Sequence, residues 1–155
     1  KGYCQKYGLT HSKLVHLDTR QEEMYLEERL AASREIIKQE VLSQGYDAWF
    51  SLECDVLAPP DTLSKMVNLI GDYSMLRQFY PSRGSLGGFN QELGLTLVKR
   101  AVLQRYEFGY GLVDPENPNT MYGSDVWLIM QIHRSPDLKD KVVSGIIKPI
   151  YHLSS

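Results

Sequence analysis

Long apolar runs are missing from this chain of 155 residues. None approaches the ~18 residues that a membrane-spanning helix needs, and no secretory leader is recognisable. Cysteine is scarce as well. Cys4 and Cys54 build neither a disulfide framework nor a zinc pattern, which suits a reducing compartment and a cytoplasmic protein, free or peripheral to a membrane. Charge of one sign is also lacking, because 17 Lys and Arg against 19 Asp and Glu leave a net charge of −2. That balance gives no global case for nucleic acid or an anionic surface as partner. Internal repeats, low-complexity tracts and interdomain linkers are absent. An initiating Met is absent too, so the expectation is one domain over residues 1–155 that lacks some residues ahead of Lys1. What remains, 43% hydrophobic and 23% charged, is the composition of a globular domain with a real core.

The order of elements predicts an α/β architecture. Leu14 to Leu17 reads as a short strand. Thr19 to Glu22 forms a T-x-x-E capping box before a helix that runs to about Gln44 and stops at Gly45. Leu26, Leu30, Ile37 and Val41 would be the apolar stripe of that helix. Ala48 to Glu53 is a second, buried strand, and helix-length spacing suggests a parallel β-α-β unit. Pro60 suits a first helical turn, with helix to about Ile70. SMLRQFY reads as a strand, PSRGSLGG as a loop, and LGLTLVKRAVLQRYEF as a strand or turn followed by a short helix. GYGLVDPENPNTMYG, rich in Gly, Pro and Asn, reads as a loop. Ser124 would cap a helix from Asp125 to about Arg134, with Val126, Ile129, Met130 and His133 on one stripe, and KVVSGIIKPIYHL supplies final strand material. The sum is a three-layer α/β/α fold with a mixed sheet.

One stretch does not read as ordinary core. AWFSLECDVLAPPDTL ends a strand in Glu53 and Asp55, and residues i and i+2 of extended chain point the same way. Two like charges in proximity repel unless a cation lies near them, and hard oxygen ligands favour Mg²⁺ or Mn²⁺. In open α/β sheets, ligands bind outside the carboxyl ends of the strands, where this pair lies. Arg34 sits at the edge of the preceding helix's inward stripe, and burying its charge is costly without a partner. The ordinary alternative is a stem packed on the core with its head in solvent.

LAASREIIKQEVLSQGYDAWFSLECDVLAPPDTL resembles the centre of GT-A glycosyltransferases, the nucleotide-diphospho-sugar transferase fold, particularly the family-2-like group. Glu53-Cys54-Asp55 sits at that family's D-x-D, with Val56, Pro59 and Leu63 also matching. Glu replaces the first acid, which makes Asp55 the stronger direct metal ligand. GGFNQELGLTLVKRAVLQRYEF is similar to a family segment opened by a Gly-rich turn, here Gly87-Gly88, where backbone can approach a sugar closely. MYGSDVWLIMQIHRS is similar to the element that carries the catalytic base of inverting members. Asp125 falls on the acid, and Ser124 replaces the usual Glu. KPIYHLSS resembles a C-terminal strand that supplies a metal-binding His, here His152. The resemblance spans roughly residues 23–155.

The resemblance implies a Rossmann-like GT-A fold and transfer of a sugar from a nucleotide-diphosphate donor to a hydroxyl of a glycan, lipid or protein acceptor, with inversion. Glu53, Asp55 and His152 would hold Mn²⁺ or Mg²⁺. Arg34, with Glu53, Asp55, Gly87 and Gly88, would face the donor diphosphate, and Asp125 would be the base. Asp47 would be a structural cap, Tyr122 and Trp127 could stack on an acceptor, and Arg83 and Lys99 could attract phosphate. His11, His16 and His133 belong to no motif and read as structural. Two other readings stay open: a sugar-phosphate nucleotidyltransferase of related fold, and a binding domain for nucleotide sugars without catalysis.

Overall fold

The computed structural model describes residues 25–78, 93–114, 117–145 and 151–152. Helix α1 spans Leu26–Ser43 and strand β1 Ala48–Leu52. Then come β2 (Val56–Leu57), α2 (Thr62–Ile70) and β3 (Met75–Gln78). Strand β4 (Leu95–Lys99) leads directly into α3 (Arg100–Arg105). A hairpin of β5 (Gly111–Asp114) and β6 (Asn117–Tyr122) precedes α4 (Ser124–His133). A 3₁₀ turn, Lys139–Lys141, leads to β7 (Val142–Gly145), and β8 covers Tyr151–His152. The expected strand at residues 14–17, the capping box at Thr19–Glu22 and the Gly87-Gly88 turn lie outside the described residues.

The chain is mixed α/β with a small mixed sheet. Among the described residues its order is β1-β4-β3-β7. β1 and β3 both run antiparallel to β4, and β7 runs parallel to β3. The carboxyl ends of β1, β3 and β7 therefore lie on one edge. Residues paired across strands share a face. Trp49, Val98, Met75 and Val142 form a row that packs with Val41 of α1, Val102 and Leu103 of α3, and Leu128, Ile129 and Ile132 of α4. Phe50, Leu97, Leu76 and Val143 form a row on the other face, against Met66 and Ile70 of α2. Towards the carboxyl edge, the next row on the first face is polar throughout: Ser51, Thr96, Arg77 and Ser144.

Helix α1 departs from its expected stripe. Leu26, Leu30 and Ile37 are exposed, and its buried residues are Ala31, Lys38 and Val41. With Arg34 only 12% exposed, the inward face runs Ala31, Arg34, Lys38, Val41, two of whose four members are cations. The charge of Lys38 is met by Glu35 at 2.7 Å, and Glu35 also accepts hydrogen bonds from Gln39 Nε2 at 2.8 Å and Phe108 N–H at 3.2 Å. Hydropathy alone misplaces this face because it takes no account of the carboxylates that partner these cations. The helix does stop as expected. Gly45 takes φ +75°, Gly45 N–H donates to Leu42 O at 3.3 Å and Tyr46 N–H to Val41 O at 3.1 Å, the Schellman pattern. Arg100 Nη2 adds a bond to Leu42 O at 3.0 Å.

Other expectations also shift. β1 is half-buried rather than buried, and Leu52 is exposed at its end. Helix α2 begins at Thr62 rather than Pro60, which sits in a turn closed by Thr62 N–H on Pro59 O at 3.0 Å. The Gly- and Pro-rich segment read as loop contains the β5–β6 hairpin, because backbone pairing there needs no hydrophobic periodicity. The inward face of α4 is Asp125, Leu128, Ile129 and Ile132, about one residue around from the expected stripe, and His133 is exposed.

The inverted stripe gives a direct test in urea. Leu128→Ala, which empties a fully buried site, is expected to lose about 2–5 kcal/mol. Ile37→Ala, at an exposed site, is expected to stay within about 0.5 kcal/mol of wild type. A second test concerns pH. Burial raises the Glu35 carboxyl pKa, but hydrogen bonds from Lys38, Gln39 and the Phe108 N–H outweigh it and hold the group below 4.5. Its stabilisation is therefore complete above the unfolded value and is lost as pH falls through the folded one. Glu35→Gln is expected to flatten the dependence of urea stability on pH below about 4.5 relative to wild type.

Candidate functional site

The carboxyl edge of the sheet brings together residues that are far apart in sequence. Arg34 reaches from the middle of α1 to the first turn of α4, where Nη1 donates to Ser124 Oγ and pairs with Asp125 Oδ1. Its other terminal nitrogen, Nη2, lies 3.6 Å from Glu53 Oε1, just past the end of β1. Asp125 Oδ2 accepts the backbone N–H of Leu93 at 2.8 Å, and Ser124 Oγ lies 3.4 Å from Asp125 Oδ1. One guanidinium thus joins α1, the end of β1 and the start of α4.

The local sequence explains each placement. On α1, Arg34 follows Ala31 by three positions, the spacing that stacks side chains on one face. The small Ala31 side chain is buried beside it. Asp125 occupies a first helical turn, where the helix dipole favours an acid. Ser124 is not the cap expected of it. The N-cap is Gly123, with no side-chain capping bond, and Ser124 is the first helical residue, fully buried, with its hydroxyl committed to Arg34 and Asp125. Glu53 follows the Trp49, Ser51 alternation onto the same face of β1, and its N–H is fixed to Gly94 O at 2.8 Å.

The electrostatics are graded. Side-chain exposure is 12% for Arg34 and 10% for Asp125, but 33% for Glu53. The Arg34–Asp125 pair is thus mostly withdrawn from water, and the Arg34–Glu53 pair is partly screened.

The acidic turn itself differs from the expected geometry. Val56 N–H donates to Glu53 O at 3.1 Å, so residues 53–56 form a tight turn rather than extended chain. The i, i+2 argument for convergence of Glu53 and Asp55 does not apply to a turn. Asp55 is partly exposed there, and the Cys54 thiol between the two acids is exposed. His152 lies on β8, whose backbone register sets it opposite Val56 and one residue on from Asp55. Among the described residues, no three His, Cys, Asp or Glu side chains form a group that could hold a metal ion.

Several expected contributors do other things. Lys99 Nζ donates to Gly71 O behind α2, away from the acids. Asp47 accepts Arg100 N–H through its carbonyl at 2.8 Å. Trp127 packs its indole edge on Gly109, where an added Cβ would lie 2.7 Å from Nε1. Tyr122 ends β6, and Arg83, Gly87 and Gly88 lie outside the described residues. The sequence reading did not pick out Leu93 N–H, the Ser124 hydroxyl as a network member, or the buried Arg77 and Gln78 at the carboxyl end of β3. A polar pair inside the strand MLRQ is the one sequence signal that could have flagged Arg77 and Gln78.

Breaking a pair this buried leaves a charge uncompensated. Arg34→Met is expected to cost about 3–5 kcal/mol in urea unfolding. Asp125→Asn in the same chain is expected to restore part of that loss, since Asn still accepts the Leu93 N–H and carries no charge. Simple addition of the two single losses would contradict the pairing.

No family model matches this chain, and no curated protein matches it. Among solved structures it is similar to the crystal structure of A197 from STIV, with a TM-score of 0.57 and 19% sequence identity. The match covers 81% of this chain and 68% of that one, and it speaks for the fold alone.

Proposed function

We propose that the chain is a GT-A glycosyltransferase with a three-layer, Rossmann-like fold, which moves a sugar from a nucleotide-diphosphate donor to an acceptor hydroxyl with inversion. The observation that carries the reading is the meeting of Arg34, Glu53 and Asp125 at one edge. The three come from separate segments of the sequence, and the resemblance implies one site for them. The mixed sheet, packed by α1, α3 and α4 on one face and by α2 on the other, is compatible with that fold.

In this mechanism Asp125 takes the proton of the acceptor hydroxyl as its oxygen attacks the anomeric carbon. The bond from that carbon to the donor diphosphate breaks on the opposite face. Leu93 N–H and the Ser124 hydroxyl hold the Asp125 carboxylate in place. Arg34 supplies positive charge to the edge where the diphosphate departs. Mn²⁺ or Mg²⁺ held by Asp55 and Glu53, with His152 on the adjoining strand, would supply Lewis-acid stabilisation of the leaving group.

One observation favours a second reading. Asp125 already accepts from Arg34 and from Leu93 N–H, which fits a structural acid in a non-catalytic domain that binds nucleotide sugars. Turnover separates the two. With Mn²⁺, a panel of nucleotide-diphosphate sugars and hydroxyl acceptors, the wild type is expected to release nucleoside diphosphate, and Asp125→Asn to do so about 10²–10⁴ times more slowly. Equal turnover by the variant would remove Asp125 as base. Donor binding without release would favour the binding domain, and pyrophosphate release from nucleoside triphosphate and sugar phosphate would favour a nucleotidyltransferase.

A further inference from the structure

We infer that Trp127 and Gly109 are positioning residues for Asp125: the indole seated on the glycine sets where the first turn of α4 stands. Residues 106–110, between α3 and β5, form a strap from α1 to α4. On the α1 side, Phe108 N–H donates to Glu35 Oε2 at 3.2 Å. The Phe108 ring is buried in the core, edge-on to Trp49 of β1 with ring centroids 5.4 Å apart. On the α4 side, Gln131 Nε2 donates to Glu107 O at 2.9 Å. One turn nearer the start of α4, Trp127 lays its indole on Gly109. A Cβ added to Gly109 would meet Nε1 at 2.7 Å, Cε2 at 2.8 Å and Cδ1 at 3.1 Å. Trp127 and Gln131 are 4 residues apart, so both contacts lie along one face of the helix.

The strap closes a circuit through the site. Two neighbours on α1 reach α4 by different routes: Arg34 directly, through Asp125 and the Ser124 hydroxyl, and Glu35 through Phe108 and the strap. The direct route leaves freedom, because a guanidinium follows a carboxylate by turning about its own side-chain bonds. The other oxygen of the same carboxylate has no such freedom. Asp125 Oδ2 accepts the backbone N–H of Leu93 at 2.8 Å. That donor stands in main chain pinned one residue on, where Gly94 O accepts Glu53 N–H at 2.8 Å. Meeting Arg34 and Leu93 at once requires the first turn of α4 to keep a set distance from Leu93. Packing supplies it. An indole is rigid, with only two side-chain torsions, and glycine alone lets backbone come this near to it. Under the glycosyltransferase reading this placement orients the base, but the placement itself does not depend on that reading.

Native-state hydrogen exchange reads the placement without turnover. It is followed by NMR for wild type, Gly109→Ala, Gln131→Ala and Gly109→Ala/Trp127→Leu, in which the smaller side chain leaves room for the added methyl. The reporter is Leu93 N–H, and the control is Arg100 N–H, bonded to Asp47 O at 2.8 Å beyond the other end of β1. Gly109→Ala is expected to speed Leu93 exchange about ten-fold, and Gln131→Ala to speed it less. The double variant is expected to return it close to wild type, with Arg100 unchanged throughout. Gln131→Ala carries the test should Gly109→Ala not fold. Leu93 exchange unchanged in either single variant, no recovery in the double variant, or equal speeding of Arg100 overturns the positioning role. Release of nucleoside diphosphate is then measured for the same proteins. Gly109→Ala is expected to lower kcat about ten-fold at unchanged donor KM, and the double variant to recover it. An unchanged kcat while Leu93 responds overturns the link to catalysis. No turnover by any of the proteins, with Leu93 responding as expected, removes the glycosyltransferase reading and leaves the positioning of Asp125 standing.

Discussion

A guanidinium in the middle of an 18-residue helix, facing inward, is the constraint on which the rest of this structure depends. Such a charge cannot be left without a partner away from water. The chain meets it with Asp125 and the Ser124 hydroxyl, which fixes where α4 begins relative to α1, and with Glu53, which fixes the exit from β1. Asp125 in turn receives the N–H of Leu93, so the approach to β4 is tied to the same point. Four segments meet in this one network.

The sheet makes that convergence possible. Because β4 runs against both β1 and β3, and β7 runs with β3, three strand carboxyl ends open on a single edge. On the face packed by α1, α3 and α4, the apolar row stops short of that edge, and the next row towards it, Ser51, Thr96, Arg77 and Ser144, is polar. Apolar burial against the helices anchors the sheet, and the polar row marks where packing gives way to charge chemistry. This is the side of an α/β sheet on which ligands are ordinarily bound.

Much of this was legible in the sequence, for identifiable reasons. The end of α1 at Gly45 was readable because only glycine takes the left-handed turn without strain. β1, β3 and β4 were readable from short apolar runs. Arg34 and Glu53 stand out as a cation at a helix's inward edge and an acid after a strand, whereas Asp125, an ordinary acid at a helix start, stands out only through the resemblance of its segment. The inward face of α1 was not readable. Leu26, Leu30 and Ile37 satisfy the helical period, yet the buried face holds Arg34 and Lys38. Pairing between residues 90 positions apart leaves no mark on local hydropathy. The tight turn at Glu53–Val56 was hidden likewise, since E-C-D has no Gly or Pro to mark a turn and Asp55 alone does not distinguish one from a strand end.

The central proposal is that Arg34, Glu53 and Asp125, which the structure brings together, form one working edge for a nucleotide diphosphate. A crystal structure of the protein with Mg²⁺ and a nucleoside diphosphate tests it most directly. The account predicts the diphosphate at the carboxyl edge of the sheet, within reach of Arg34. A nucleotide bound elsewhere, or absent under saturating conditions, would contradict it.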